Sequence, residues 1–430
     1  MRRNKTLNYL SIAVAVLALG YFINRRIISQ HESNLAELKV ESPIWSTSGS
    51  SKYTLYLAPT KEVSYKLYSF GPAVSSRRLV YDSSVGSRFI EADFLQSRRQ
   101  ISIWKKQNGE TITMGFAKNK HALFIGDHRR LEDIEHLDIH DVIHHQDGSV
   151  TIIRYIPDLD NDLLHLGIDT ISTSGQVIWS WTSKGLISAD WNVSAKKSSD
   201  LSLEYFIIIT RDYFSRILYN WFPTFAREIL SWDSFPKSLI VEKQGLRSLS
   251  DYVHANSIQF IDNNQKILVS ARNLDTIFTI DVITKRITWA LGGNFSLMTQ
   301  NRPTGDPRNG FSHQHTARIF NNRLYIFDNA NLYSLPSRVV VYKVDEKNLN
   351  SAEFLYEYLE PNRLTRTTMG SIQPLDKYTI LIGWGGIGSA NLSREVTAAA
   401  SIIDIKRNRS LFQMNFKPGY SSYQVFAEVK

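Results

Sequence analysis

The chain has 430 residues, of which 43% are hydrophobic and 12% aromatic, so it can bury a substantial core and wholesale disorder is excluded. It contains no cysteine, which excludes disulfides, zinc–thiolate sites, iron–sulfur clusters and a cysteine nucleophile. The net charge is +9, but more than half of this excess of positive charge lies in residues 1–30, which contain no acidic residue. Because the rest of the chain has no run of Lys and Arg, we expect no nucleic-acid partner.

The first predicted element is a membrane segment. Residues 6–23 read TLNYLSIAVAVLALGYFI, without a charge, and basic residues flank them on both sides. A membrane-spanning helix needs about 20 apolar residues, whereas the apolar part of a secretory signal is shorter. Residues 1–30 are therefore predicted to be an uncleaved transmembrane signal-anchor helix, with a cleaved signal peptide and a buried core helix as the alternatives. Both the anchor and the signal export the rest of the chain, so we expect it in the cell envelope, anchored in the inner membrane with its body in the periplasm, or secreted after cleavage.

Residues 31–45 are predicted to be a linker, and the body of the chain, residues 46–430, consists of short strands that follow turns. The turn–strand units are QDGSVTIIRY (146–155), NNQKILVSAR (263–272), NNRLYIFDN (321–329) and LDKYTILIGW (375–384). Two further segments, SGQVIWSW (174–181) and TKRITWALGG (284–293), each place a Trp near the end of a strand. These units predict an all-β body.

The spacing of the turns indicates an internal repeat. Asn264, Asn322 and Lys377 follow one another at intervals of 58 and 55 residues, and Gly148 lies about two such intervals upstream. A repeat of this length made of short strands predicts a β-propeller, with a pair of β-sandwiches as the alternative. Residues 183–250 fit the repeat worst and are predicted to be a divergent insertion.

Histidines cluster beside the predicted strand openings. The first group contains His136, His140, His144 and His145, the second is His254 alone, and the third contains His313 and His315. Equivalent positions of propeller blades converge on the central channel, so these imidazoles are candidates for one shared site as nucleophile, general base or metal ligand. Arg272 follows the strand after His254 and is expected to add a fixed positive charge there. The alternative is that each His has only a structural role. No carboxylate-rich partner cluster accompanies the pair His313 and His315, so we expect no metal site.

Two segments together resemble the arylsulfotransferase family of periplasmic β-propellers. The first, residues 253–293, contains His254-x-Asn256-Ser257, Ser270-x-Arg272 and Ile287-x-Trp289-x-Leu291-Gly292-Gly293. The second, FSHQHTARIFNNRLYIFDN (311–329), is similar to the family's Phe-Ser-x-Gln-His-x-Ala-Arg motif. IHDVIHHQDGSV (139–150) resembles an upstream family segment, and the resemblance extends from about residue 136 to 405 except for residues 183–250.

The resemblance implies a six-bladed propeller that moves a sulfuryl group from a phenolic sulfate ester to an acceptor phenol, without a cofactor or a metal. It implies a ping-pong mechanism through a sulfohistidine. By position, His315 corresponds to the nucleophile, and His254 and Arg272 to the residues that hold the sulfuryl oxygens. His140 corresponds to the residue that protonates the phenolate or orients the donor, and Asn256 and His313 are expected to contact substrate.

Some features depart from the family pattern. His313 stands where the family commonly has a small residue, and residues 183–250 differ from the family pattern. His144 and His145 lie so close to His140 in sequence that either could be the residue that corresponds to the family's histidine. Two other functions stay open. One is an inactive propeller of the same family that binds a ligand or a protein, and the other is a hydrolase of sulfate or phosphate esters with the same channel.

Overall fold

The computed structural model describes residues 42–49, 52–61, 77–91, 101–117, 120–126, 129–131, 134, 136–191, 239–242, 245–293, 302–331, 335–386 and 396–429. The predicted anchor, residues 6–23, lies outside these ranges. Within them, no helix is long and apolar enough to cross a membrane. The described elements are β-strands and two 3-10 turns, Ala189–Trp191 and Arg272–Leu274.

The strands are numbered in chain order, and the first eight come from the N-terminal part of the body. They are β1 (Ile44–Gly49), β2 (Tyr53–Lys61), β3 (Arg77–Asp82), β4 (Gly86–Glu91), β5 (Ile101–Gln107), β6 (Glu110–Ala117), β7 (Lys120–Ile125) and β8 (Arg129–Leu131). The next seven are β9 (Leu137–His144), β10 (Val150–Asp158), β11 (Leu163–Ile171), β12 (Val177–Thr182), β13 (Leu239–Glu242), β14 (Gly245–Ser248) and β15 (Ser250–Asp251).

The remaining strands complete the body. They are β16 (Ala255–Ile261), β17 (Lys266–Ala271), β18 (Thr276–Asp281), β19 (Ile287–Gly292), β20 (Ala317–Phe320), β21 (Arg323–Asp328) and β22 (Arg338–Lys343). They continue with β23 (Glu353–Leu359), β24 (Ser371–Pro374), β25 (Thr379–Gly383), β26 (Thr397–Asp404), β27 (Arg409–Phe416) and β28 (Tyr420–Val429).

Six of the sheets in the described part of the chain are blades of four antiparallel strands or more. Four blades are simple meanders, β5–β8, β9–β12, β16–β19 and β20–β23. The fifth, β24–β27, takes β1 as an additional outer strand, and the sixth combines β28 with β2–β4. The C-terminal strand thus pairs with strands from near the start of the body, which closes the ring.

The innermost strands of the six blades form a closed ring around a central channel. In order they are β5, β9, β16, β20, β24 and β28, each contacts the next, and β28 returns to β5. Because each blade is built of antiparallel strands in an even-numbered meander, all the inner strands run in the same direction and begin at the same end of the channel. The predicted all-β six-bladed propeller is therefore confirmed, and the sandwich alternative is wrong.

Apolar side chains fill the interfaces between adjacent blades. Between the second and third blades, for example, Ile153 and Ile168 pack with Val269 and Phe278, and all four are fully buried. Because blades cover each other on both faces, the middle strands carry almost continuous apolar runs, as in KILVSA of β17. Burial of these apolar side chains supplies most of the stabilisation of the ring, at about 25 cal/mol for each Å² of apolar surface removed from water.

The predicted turn–strand units all occupy equivalent places in the fold. Each contains the turn that leads into the second strand of a blade, namely β10, β17, β21 and β25. The two Trp-bearing segments form the outer strands β12 and β19. Within residues 183–250 the described part forms a 3-10 turn, the hairpin β13–β14 and the short strand β15, which pairs in parallel with β11. Residues 192–238 lie outside the described residues.

A repeated Ser-Ile-Gln sequence ties inner strands together. Gln259 donates from its side-chain amide to the Ile319 carbonyl (2.8 Å) and accepts from the Ile319 N–H (2.7 Å). Gln373 makes the same pair of bonds with Ala427, at 2.9 and 2.8 Å. The Ser two residues before each Gln accepts a backbone N–H from the same neighbouring strand. Each inner strand of these pairs is thus held to the next at a fixed height along the channel.

Replacement of Gln373 by Leu is expected to weaken the junction between β24 and β28. The substitution leaves the Ala427 N–H and carbonyl without their partners, so we expect a loss of about 1–3 kcal/mol in the free energy of unfolding. Urea unfolding followed by tryptophan fluorescence measures the change. Gln176→Leu is the control, because Gln176 is exposed on a turn. An equal change in both variants would contradict the role assigned to Gln373.

Candidate active site

Four aromatic side chains meet where the inner strands begin. His140 is the fourth residue of β9, His254 directly precedes β16, His315 lies two residues before β20, and Tyr423 is the fourth residue of β28. The ring centroids of His140 lie 4.8 Å from His254 and 5.7 Å from His315, and those of His315 and Tyr423 are 5.5 Å apart. The fold thus brings together three histidines that are distant in sequence, as predicted.

His315 is buried and hydrogen-bonded in a way that defines its tautomer. Its Nδ1 lies 2.7 Å from the carbonyl oxygen of Gly370, which can only accept. Nδ1 must therefore carry the hydrogen, and in the neutral ring the lone pair lies on Nε2. Burial lowers the pKa of His315 well below its usual range, and His140, His254 and Arg272 lower it further, against the opposing effect of the Gly370 carbonyl. The ring is therefore neutral at neutral pH, with its Nε2 lone pair available.

Gly370 can approach His315 because it has no side chain. Its φ is +111°, and an added Cβ would lie 2.4 Å from the ring of Phe327. The Thr316 hydroxyl donates to the same Gly370 carbonyl at 2.9 Å. The backbone of Gly370 is itself fixed by an N–H bond to the Tyr423 carbonyl at 3.3 Å. The acceptor for His315 is therefore held by three blades.

His140 and His254 each have a carboxylate behind the ring. Asp138 accepts both the His140 backbone N–H (2.6 Å) and its Nδ1 (2.7 Å). Asp251 accepts the His254 backbone N–H (3.0 Å) and its Nδ1 (2.6 Å). A carboxylate at Nδ1 fixes the ring orientation, directs the chemistry to Nε2 and balances the charge of an imidazolium. These two rings are therefore suited to hold or move a proton beside His315.

The residue directly after the insertion contributes to this arrangement. Asp251 belongs to β15, which lies beside β11 with Asp251 opposite Leu164. His254, three residues later, has a left-handed backbone with a φ of 49°. That conformation turns the chain so that both its N–H and its ring meet the same carboxylate. The short strand β15 thus positions one of the three histidines.

Arg272 is anchored next to His254. Its backbone N–H donates to the His254 carbonyl at 3.0 Å, and its guanidinium donates to the Asn273 side chain at 2.8 Å. Asn273 in turn donates to the Asp251 carbonyl. Burial lowers the pKa of Arg272, and the acidic residues Asp275 and Asp251 oppose that effect. The guanidinium is the fixed positive charge of the cluster.

Asn256 and His313 hold the backbone around His315. Asn256 is fully buried and donates to the Gln314 carbonyl at 2.9 Å. The His313 backbone N–H donates to Asp275 at 2.6 Å, and its Nδ1 lies 3.4 Å from the same carboxylate. The expectation that these two residues contact substrate stays a prediction.

The competing histidines of the first group lie elsewhere. His144 contacts the Gln107 carbonyl through Nδ1 at 3.3 Å, and His145 contacts the Thr151 hydroxyl through Nε2 at 2.7 Å. Only His140 of the three is in ring contact with His254 and His315. Among the described residues no group of three or more His, Asp or Glu side chains is arranged to hold a metal ion.

The sequence analysis did not identify the buried phenols of Tyr155 and Tyr423 or the carboxylates of Asp138 and Asp251. Burial raises the pKa of Tyr423 well above its usual range, and Asp138 adds to the effect. The pKa of Tyr155 is raised in the same way by burial and by Asp138. Both phenols therefore stay protonated and can donate hydrogen bonds. The Asp-x-His and Asp-x-x-His spacings were visible in the sequence, whereas no local signal marks Tyr423.

Solved structures similar to this chain have low sequence identity to it. A protein of unknown function from Bacteroides caccae is 7% identical, with a TM-score of 0.47 over 88% of this chain and 100% of that one. A periplasmic gluconolactonase from Pseudomonas aeruginosa is 10% identical, with a TM-score of 0.39 over 90% of this chain and 100% of that one. No curated protein matches the chain.

The family comparison covers most of the chain. The model of the Arylsulfotransferase (ASST) family matches residues 89–426, which include the whole histidine cluster, Arg272 and Tyr423. The chain therefore belongs to the arylsulfotransferase family.

Proposed function

We propose that the chain transfers a sulfuryl group from an aryl sulfate to an acceptor phenol through a sulfohistidine at His315. The single observation that carries the proposal is the hydrogen bond from His315 Nδ1 to the Gly370 carbonyl. It leaves a neutral imidazole with a nucleophilic Nε2 among two carboxylate-backed histidines and a guanidinium. The predicted anchor, residues 6–23, would hold this propeller at the membrane surface in the periplasm.

In the first step His315 Nε2 attacks the sulfur atom of the donor. The new N–S bond forms as the S–O bond to the phenol breaks, and the electron pair leaves on the phenolate oxygen. The ring becomes positive while it still carries hydrogen at Nδ1, so the Gly370 carbonyl stabilises it at 2.7 Å. His254 and Arg272 are assigned to the sulfuryl oxygens, where a fixed donor contributes about 3–4 kcal/mol to transition-state stabilisation.

The leaving phenolate needs a proton. His140, held by Asp138, is assigned as its donor. Tyr423 touches the rings of both His140 and His315, and its phenol remains protonated, so it is placed to donate to the same oxygen. The proton moves from His140 to the departing phenolate, which leaves as the phenol, and neutral His140 becomes a base.

The second step reverses the roles. His140 takes the proton of the acceptor phenol, its oxygen attacks sulfur, and the N–S bond breaks with its electrons returning to His315 Nε2. Both histidines then have their starting charges. Two displacements at one nucleophile make ping-pong kinetics the expected signature, whereas a hydrolase would use water in the second step and need no acceptor.

We expect a covalent adduct on the full-length chain, purified in a non-ionic detergent and treated with 4-nitrophenyl sulfate without acceptor. The intact mass should increase by one sulfuryl group, and an added phenol should remove it and accelerate nitrophenol release. His315→Ala should abolish the adduct and lower release by about 10⁴-fold or more, because the nucleophile is lost.

His145→Gln is the matched control, because His145 lies outside the cluster. It should form the adduct as the wild type does. An adduct on His315→Ala would overturn the assignment. Failure of the wild type to form an adduct with any aryl sulfate would also overturn it. Release that is independent of the acceptor would favour the hydrolase instead.

The pH dependence of adduct formation should reflect the lowered pKa of His315. Nitrophenolate leaves readily without protonation, so the single-turnover rate reports the neutral fraction of the nucleophile. An unperturbed imidazole with a pKa of about 6.5 would lose about three quarters of the rate on going to about pH 6. Because burial depresses the pKa of His315, the rate should stay constant down to about pH 6 and fall only in more acidic solution. A rapid-quench series between about pH 8 and 4 measures the profile, and a midpoint near 6.5 would contradict it.

A further inference from the structure

A second charged group lies in the channel just beyond the histidine cluster. Lys105 is the fifth residue of β5, Asp141 directly follows His140 in β9, and Arg318 lies three residues after His315 in β20. Lys105 donates to the carbonyl of Val142, two residues past His140, which corresponds to about 7 Å further along a strand. The transfer mechanism described above does not use any of these three side chains.

The carboxylate of Asp141 already has its partners without Lys105. Arg318 donates to Oδ2 at 2.8 Å, the Ile258 N–H donates to the same oxygen at 3.0 Å, and the Val142 N–H donates to Oδ1 at 2.9 Å. Lys105 Nζ lies 3.9 Å from Oδ1, which is beyond hydrogen-bond distance. One carboxylate therefore faces two cations, and Arg318 alone balances it.

The ammonium group of Lys105 is buried and incompletely satisfied. Its side chain is 10% exposed, and among the described residues it donates one hydrogen bond, to Val142 at 2.6 Å. It also lies 5.3 Å from the centre of the Phe426 ring. Burial lowers the pKa of Lys105 to about 8, and Arg318 lowers it while Asp141 raises it. An isolated buried charge is costly unless a counter-charge accompanies it.

Side chains around Lys105 keep partial solvent exposure. The Arg318 side chain is 17% exposed, and Phe426 and Gln373 of the neighbouring strands are only partly buried. Two cationic side chains thus lie near a partly exposed aromatic ring. A small oxyanion would supply the missing negative charge and accept the unused protons of Lys105 and Arg318.

We propose that Lys105 and Arg318 form an oxyanion subsite in the channel, separate from the sulfuryl-transfer centre. Its ligand is a sulfate, or the sulfonate or carboxylate group of an aromatic molecule that packs against Phe426. This proposal does not rest on the proposed function, because it concerns reversible binding by residues outside the histidine cluster.

Calorimetric titration of the full-length chain with sodium sulfate tests the subsite. All variants carry Arg272→Met, which removes the guanidinium of the transfer centre and keeps the two sites apart. Added Lys105→Met should weaken sulfate binding by at least about tenfold. This substitution retains the apolar contact with Phe426 and leaves Asp141 paired with Arg318. Added Lys106→Met is the matched control, because Lys106 is the next residue of β5 but is exposed and pairs with Glu428. Its affinity should stay within about twofold of the parent.

The Arg272→Met protein, the parent of these variants, supplies a second measurement that needs no substitution of Lys105. Sulfate binds the cationic form, and Asp141 and Arg318 are the charged groups that act on Lys105. Above a pKa of about 8 the cation is lost, so the affinity should fall about tenfold between pH 7 and 9. Equal sulfate binding by the Lys105→Met and Lys106→Met proteins, or no decline with pH, would overturn the proposal.

Benzenesulfonate distinguishes the two sources of the oxyanion. If benzenesulfonate binds more tightly than sulfate and this binding is lost in Lys105→Met, the result would support the subsite as a pocket for an aromatic anion. Tighter sulfate binding, also lost in Lys105→Met, would support it as a pocket for the free ion. Loss of transfer activity does not enter either readout, so failure of the subsite and failure of the transfer mechanism can be told apart.

Discussion

The hydrogen bond between His315 Nδ1 and the Gly370 carbonyl determines what the site can do. It selects the tautomer with hydrogen on Nδ1, and burial keeps that ring neutral. Without a fixed acceptor on Nδ1, the hydrogen could occupy Nε2, and the ring would have no lone pair toward the channel. The close approach of Gly370, next to the Phe327 ring, is therefore a functional constraint on the backbone as well as a packing constraint.

The propeller makes this constraint possible because its inner strands are held in fixed relation to one another. His315 and its acceptor Gly370 belong to the starts of neighbouring blades, and the strand pairs tied by Gln259 and Gln373 lie on either side of them. Closure of the ring by β28 adds Tyr423 to the same cluster. A small slip of one blade would separate these groups.

Three histidines in one cluster have different surroundings, and this difference supports different roles. His315 faces a neutral carbonyl, whereas His140 and His254 face carboxylates. A carbonyl orients an imidazole without adding a negative charge, while a carboxylate stabilises its protonated form. The proposed nucleophile and the proposed proton carrier thus differ in the chemistry of their Nδ1 partners.

Much of the fold was predictable because its repeat is local. The turns before β10, β17, β21 and β25 carry Asn, Asp, Gly and Lys, and each introduces a short apolar strand. The meeting of His140, His254 and His315 followed from the equivalence of blades together with the family resemblance. Tyr423, Gly370 and β15 were not predictable, because their places depend on ring closure and on contacts between segments far apart in sequence. The same reason hid the proximity of Lys105 to Asp141 and Arg318, which no spacing along the chain reveals.

The most direct test of this account is the protonation of His315 in solution. Nitrogen NMR of the full-length chain with ¹⁵N-labelled histidine, with His315→Gln to assign the signal, reports both the tautomer and the pKa. The proposed mechanism requires a neutral ring with hydrogen on Nδ1 that does not titrate near pH 6.5. A ring with hydrogen on Nε2, or one that becomes protonated near pH 6.5, would contradict the assignment of His315 as the nucleophile.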